Sequence, residues 1–369
     1  MDQVRALVED DIPQIAELHA KVYGGCDRPA SPALRAYFTQ IFCRHPWSDE
    51  DLPSLVYQQS NGEIVGVLGV MPRPMSINGR PIRVAINHNF MVDPDRRTTL
   101  AAVELIKAFL SGPHDLCLAE GNDLSRRMFE GFGGTTSLLY SIRWTRPLRA
   151  GQYALSFSKR CGLPTSIACA LRPLCYVVDA VAAKMPRSPF CQTVPRVSGE
   201  ELDSKTLLAC LAEFSRGHSL RPEYDDRSLN WLLELHSHKR GLVTFQNVLV
   251  RNAQQKILGY YLYYLNPGGI AEVVQIAAEP NSINEVLDYL FYDAWRHGVI
   301  ALSGQLDPRF MQVFSDRQCL FQCLFRGRGG SWILVHSKHS ELLQAIHRGD
   351  AFLTRLEGEW WISFGGEHV

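Results

Sequence analysis

Asn87-His88-Asn89-Phe90-Met91-Val92-Asp93-Pro94-Asp95-Arg96-Arg97-Thr98-Thr99-Leu100-Ala101-Ala102 is the stretch that decides the fold. An apolar strand reaches Pro94, passes an arginine pair and enters a helix through small residues. A junction of this kind leaves the first N–H groups of the helix without intrahelical partners and aimed at one point. Together with the positive end of the helix dipole they make a site for a phosphate or pyrophosphate. Downstream, residues 116–119 read as a buried strand. Asn122-Asp123-Leu124-Ser125-Arg126-Arg127-Met128-Phe129 then opens a second helix, which ends near Gly133.

Working outward, residues 4–8 form a short strand. Residues 11–22 carry Ile12, Ile15, Ala16, Leu18 and Val22 at helical spacing. A further helix spans 32–44 and stops before Pro46. Strands follow at 54–58, 64–70 and 82–92, with turns at Asn61-Gly62 and Asn78-Gly79. A helix over 98–110, the strand 116–119, a helix over 123–132 and a strand over 137–144 complete the first half.

The chain has 369 residues, more than one core usually holds, so two domains are expected. It is 46% hydrophobic and 21% charged, an ordinary globular balance. Formal net charge is +0, so no global field draws the protein to DNA or to an anionic membrane. Ten cysteines without a dense spacing framework fit reduced thiols in a cytoplasmic compartment. Cys319 and Cys323 have no second pair at zinc-site spacing, and no metal is expected. The first residues lack the pattern of a signal peptide, and no uncharged apolar run reaches membrane-spanning length.

Between Pro147 and Pro195 the composition turns to Ala, Leu, Cys, Pro and basic residues, with Asp179 the lone acid. Helices are expected at 167–171 and 174–185, broken at Pro173. The favoured reading is a helical connector packed across two domains. The alternative is a basic amphipathic surface, within 147–187, making peripheral contact with a membrane or an acidic partner.

After Pro195 the order helix, helix, three strands, helix, strand, helix, strand recurs, with one more strand at 332–336. A second, diverged copy of the first half is the simplest explanation. Its polar residues are Tyr224, Asp225, Asp226, Arg227, Glu272, Gln275 and Asp307. Tyr260, Tyr261, Tyr263 and Tyr264 place aromatics on both faces of one strand, as core or as the lining of a groove for a sugar or peptide.

The first half resembles the acyl-CoA-binding core of the GNAT N-acetyltransferase superfamily. In that family the loop after the fourth strand reads Arg/Gln-x-x-Gly-x-Gly/Ala. Here Arg97-Thr98-Thr99-Leu100-Ala101-Ala102 stands in its place, with Leu100 for the first glycine. The family's Asn-x-x-Ala-x-x-Leu-Tyr-x-x-x-Gly-Phe corresponds to Asn122, Ser125, Met128, Phe129, Gly133 and Gly134, with Phe129 where relatives carry a tyrosine acid.

The resemblance implies an α/β (α+β) fold of two tandem GNAT-like domains. Each would be a mixed, mostly antiparallel sheet flanked by helices: 1–146, then a basic helical connector over 147–198, then a diverged copy over 199–369. It implies an acyltransferase moving an acetyl or other acyl group from CoA to an amine or hydroxyl of a small-molecule, sugar or peptide acceptor. Val92, Arg97, Thr98, Thr99, Leu100, Ala101, Ala102, Asn122, Ser125 and Phe129 would hold acetyl-CoA or a longer acyl-CoA, and His88 or Glu120 would be the base. Two rivals are a FemABX-like transferase fed by aminoacyl-tRNA and a non-catalytic ligand-binding or interaction module.

Overall fold

In the computed structural model, which describes residues 2–23, 30–96, 100–186, 188–237, 243–322, 331–360 and 362, the first elements are β1 (Gln3–Ala6), α1 (Ile12–Tyr23), α2 (Pro32–Phe38) and β2 (Leu55–Gln58). They are followed by β3 (Ile64–Ile77), β4 (Arg80–Val92), α3 (Ala101–Leu110), β5 (Leu116–Gly121), α4 (Asp123–Gly131) and β6 (Thr135–Ser137). Next come β7 (Arg143–Pro147), α5 (Ala150–Arg160), α6 (Thr165–Lys184), β8 (Ser198–Glu201), α7 (Ser204–Phe214), β9 (Leu220–Pro222) and α8 (Asp226–Ser237). The rest is β10 (Thr244–Arg251), β11 (Ile257–Leu265), β12 (Ile270–Ala278), α9 (Ile283–Arg296), β13 (Ala301–Gln305), α10 (Met311–Asp316), β14 (Leu320–Gln322), β15 (Trp332–His336) and α11 (Ser340–His347).

Two compact units result, and they are interleaved along the chain. One comprises residues 1–141, 216–232 and 324–369; the other comprises 142–215 and 233–323. The contiguous division 1–146, 147–198, 199–369 therefore does not match the units. The cause is strand placement. β15, near the end of the chain, pairs with β5 and β6 in the first unit's sheet. β7, from the first half, pairs with β13 and β14 in the second unit's sheet. The single strand expected over 137–144 is thus two strands, β6 and β7, belonging to different sheets.

In the first unit the sheet order is β1-β2-β3-β4-β5-β15-β6, with β9 alongside β3. Asn78 and Gly79 both take positive φ, 51° and 80°, which suits the tight turn joining β3 to β4. Leu68, Val70, Ala85, Leu105, Ile106, Phe109, Phe129 and Leu334 make the core between this sheet and its helices. The helix expected over 32–44 is α2 continued by a π-helical turn, Thr39–Cys43.

The second unit is a seven-stranded sheet, β14-β7-β13-β12-β11-β10-β8, packed on α9. Trp144 sits fully buried in its core with Phe291 and Phe314. All four tyrosines of β11 are buried. Tyr260 donates to Gln275 at 2.8 Å, Tyr261 and Tyr263 share Asp293, and Tyr264 meets the His236 ring. They are satisfied core rather than a groove lining. Nor do the polar residues of this half assemble: Glu272 pairs with Arg143, Asp307 caps Arg309, and Tyr224 lies in the first unit.

α5 and α6 form a helical hairpin in the second unit. α6 runs unbroken through Pro173, since a proline removes one helical hydrogen bond without having to end the helix. Among the described residues α6 is the one helix long and apolar enough to cross a membrane; Arg172, Asp179 and Lys184 interrupt its apolar run, so no uncharged stretch of spanning length stands in the sequence.

Candidate active site

The site begins where two parallel strands part. β4 and β5 pair only from Val84↔Leu116 to Ile86↔Leu118, although β4 continues to Val92 and β5 to Gly121. Beyond Ile86 the strands splay, leaving main-chain groups of both without a strand partner in the gap. A bulge aims them: the register of β4 against β3 shifts between Val67 and Gly69, and Asn89 takes a φ of 47°.

The C-terminal segment closes this notch. Glu359 accepts the Asn89 N–H at 3.2 Å and the Glu120 N–H at 3.0 Å, one amide from each splayed strand. A buried network fixes that segment. Arg73 lies 4.0 Å over the Trp47 ring, donates to the Tyr224 hydroxyl at 2.6 Å and reaches the Leu356 carbonyl. Tyr224 donates to Glu357 at 2.7 Å, and Glu357 accepts from the N–H and hydroxyl of Thr354. Burial pushes the Glu357 carboxyl up and the Tyr224 phenol well up. Tyr37 secures the Ile362 carbonyl at 2.6 Å.

A cavity of about 170 Å³ adjoins the notch, lined by Asn87, Phe90, Glu120, Ser125, Phe129 and Glu359 among others.

The structure sorts the residues singled out from sequence. Arg97, Thr98 and Thr99 lie outside the described residues. Leu100 is 63% exposed at the start of α3, Ala101 is buried, Ala102 is half-buried, and Val92 packs against the first unit's core. Asn122 caps α4, accepting from the Leu124 and Ser125 N–H groups at 3.0 Å, so its side-chain oxygen is committed to the helix. Ser125 and Phe129 both face the cavity.

Glu120 is at the notch and accepts from Ser331 at 2.9 Å. His88 is not beside the cavity. It is fully buried, hydrogen-bonded to the Asn89 side chain and packed 4.9 Å from Phe42. Burial pushes its pKa down to about 4, with the neighbouring His45 adding to the effect. A neutral, enclosed imidazole is poorly placed to take a proton from an acceptor. The residue that sequence reasoning passed over is Glu359. Its only signal was a charged pair flanking Gly358 beside Trp360.

Three potential metal donors also meet in this unit: His114, Cys117 and His336 have ligand atoms within 4.8 Å of one another. Burial pushes His114 down to about 4 and raises the Cys117 thiol far up. Among the described residues they are one donor short of a structural zinc site, and a metal would have to strip a reluctant thiol.

Residues 3–115 match the family model of the Acetyltransferase (GNAT) domain. Over that stretch the chain is similar to a GNAT domain. The matched stretch holds β4, its bulge and α3, one wall of the notch. No protein of curated function matches the sequence. Among solved structures, the chain is similar to a probable N-acyltransferase of unknown function from Enterococcus faecalis (10% identity, 91% of this chain and 73% of that one, TM-score 0.60). It is also similar to a GCN5-related N-acetyltransferase from Anabaena variabilis (10% identity, 94% and 75%, TM-score 0.59). A third relative in fold is the N-myristoyltransferase of Saccharomyces cerevisiae with bound myristoyl-CoA (12% identity, 90% and 77%, TM-score 0.53). At such identities the likeness establishes the fold, and it extends beyond the GNAT domain to both sheets.

Proposed function

We propose that the first unit is an acyl-CoA-dependent acyltransferase that acylates an amine or hydroxyl. One observation carries the reading: a carboxylate sits on two strand amides at the parting of β4 and β5, beside a cavity. Amides so held polarise a thioester carbonyl, and they do so without reorganising when charge develops. The donor carbonyl would displace Glu359 from one amide. Glu359 then stands beside the reacting carbon, able to take the proton of the attacking amine. The nitrogen–carbon bond forms, the carbon–sulfur bond breaks, and CoA leaves as a thiolate, which needs no strong acid.

In this reading Arg97, Thr98 and Thr99, with the α3 amides from Leu100 to Ala102, take the pyrophosphate. Ser125 and Phe129 line the pantetheine path, and Asn122 fixes the start of α4. The known chemistry of the GNAT domain and the N-acyltransferase relatives support the donor class.

Thermal unfolding with acetyl-CoA and myristoyl-CoA tests it. At about a hundred times its Kd the donor should stabilise the protein by about 2.7 kcal/mol. Arg97→Glu should abolish the shift without lowering the ligand-free melting temperature. Thiol release with an amine panel then separates an enzyme from a binding module. A folded protein that shifts with neither donor overturns the proposal.

A further inference from the structure

We propose that the α5–α6 hairpin is a docking surface for anionic phospholipid, lying flat on the membrane rather than crossing it. Ile167, Leu171, Leu174, Val178, Val181 and Met185 recur at alternating steps of four and three and are between 40% and 59% exposed. That spacing lays them in one stripe along α6, about 27 Å long at 1.5 Å per residue. Only Ala168 and Asp179 of this helix are buried, so it is not a core helix. Phe157 of α5 and Val177 are exposed as well, at 42% and 59%.

The inner side of the hairpin is already satisfied. Asp179 accepts the Gly151 N–H at 2.7 Å, the Gln152 N–H at 3.1 Å and the Gln152 side chain at 3.0 Å. A Cβ on Gly151 would stand 2.8 Å from the Cys175 carbonyl oxygen, so the two helices touch there. The stripe therefore belongs to a hairpin whose packing is complete.

Charge decides the occupant. Lys159, Arg160, Arg172 and Lys184 are exposed, while the one acid of the hairpin is turned inward onto α5. An apolar stripe flanked by cations alone complements anionic headgroups over acyl chains. Topology excludes a crossing. α6 could span about 30 Å of hydrocarbon, but α5 has 11 residues, about 16 Å, and cannot return. β7 before the hairpin and β8 after it belong to one sheet, so both ends of the hairpin must stay on one side.

Flotation of the full chain with vesicles is the test, and it is independent of the acyltransferase reading. Binding to phosphatidylcholine–phosphatidylglycerol vesicles, absent with phosphatidylcholine alone and weakening with salt, is expected. Leu174→Asp with Val178→Asp should weaken it by at least about tenfold, because two carboxylates would enter the apolar layer. Lys184→Ala should cost about fivefold. Circular dichroism and melting temperature should be unchanged, since these side chains are outside the core. Absence of flotation by the folded wild type overturns the proposal, as does equal flotation by the double variant. Sedimentation as a dimer that the double variant dissociates, without vesicle binding, would assign the stripe to a second copy instead.

Discussion

Glu359 takes the main-chain N–H of Glu120 at 3.0 Å, across a sequence separation of 239 residues. The same carboxylate takes the Asn89 N–H, so a C-terminal side chain occupies the amides that a thioester carbonyl would need. In the acyltransferase reading proposed above, a carboxylate there is either a plug or a base poised at the reacting carbon.

Glu359→Gln separates the two. The amide side chain keeps an acceptor for one N–H and loses the ability to take a proton. Steady-state kinetics should show kcat lower by about 10²- to 10⁴-fold, with donor affinity little changed. Unchanged kcat with tighter donor binding would make Glu359 a plug.

A fragment of residues 1–146 should not fold. It lacks β15, which fills the place between β5 and β6, and it carries β7, whose partners β13 and β14 it has lost. Leu334 and Val335, both buried, leave a gap in the first unit's core when β15 is absent. Cooperative thermal unfolding of the isolated fragment is the result that would contradict the interleaved arrangement.

Stability should fall in mild acid through His88. Its folded value is about 4 against an ordinary 6.5, so the native state holds the ring neutral where the unfolded chain protonates it. The unfolded state binds the extra proton between about pH 4 and 6.5, so this contribution is complete above 6.5 and is lost as pH drops through that window. Urea melts at pH 7 and pH 5 should differ by about 2 kcal/mol from this residue alone. His88→Phe should shrink the difference by that amount; an identical difference in the variant rules the histidine out.

Gly69→Ala should be costly although it adds one methyl. Its Cβ would come within 2.4 Å of the His88 ring, which is fully buried and packed 4.9 Å from Phe42. A loss of about 1–3 kcal/mol in denaturant midpoint measurements is expected. His88→Ala in the same background should recover part of it by vacating the space; no recovery means the strain lies elsewhere.

Local patterns made much of the first unit readable. Asn61-Gly62 and Asn78-Gly79 set the hairpins, helical periodicity marked α1, and the run from Asn122 to Phe129 marked α4. Each depends on residues within a few positions of one another. The strand–helix junction near Arg97 pointed to the GNAT fold for the same reason. The tyrosines of β11 were legible as strand, but the choice between core and groove lining was not, because their hydroxyls are satisfied by Gln275 and Asp293 from other elements.

What the sequence by itself determined was the kind of most elements in the first half of the chain and the presence of two sheet-bearing units. Which sheet each of β7 and β15 joins was decided only in the tertiary structure. A strand's own pattern says that it will be half-buried or buried, and the same pattern fits either sheet. Glu359 reached the notch by the same route: its role depends on amides contributed by Asn89 and Glu120, and no local signal in the C-terminal segment refers to them.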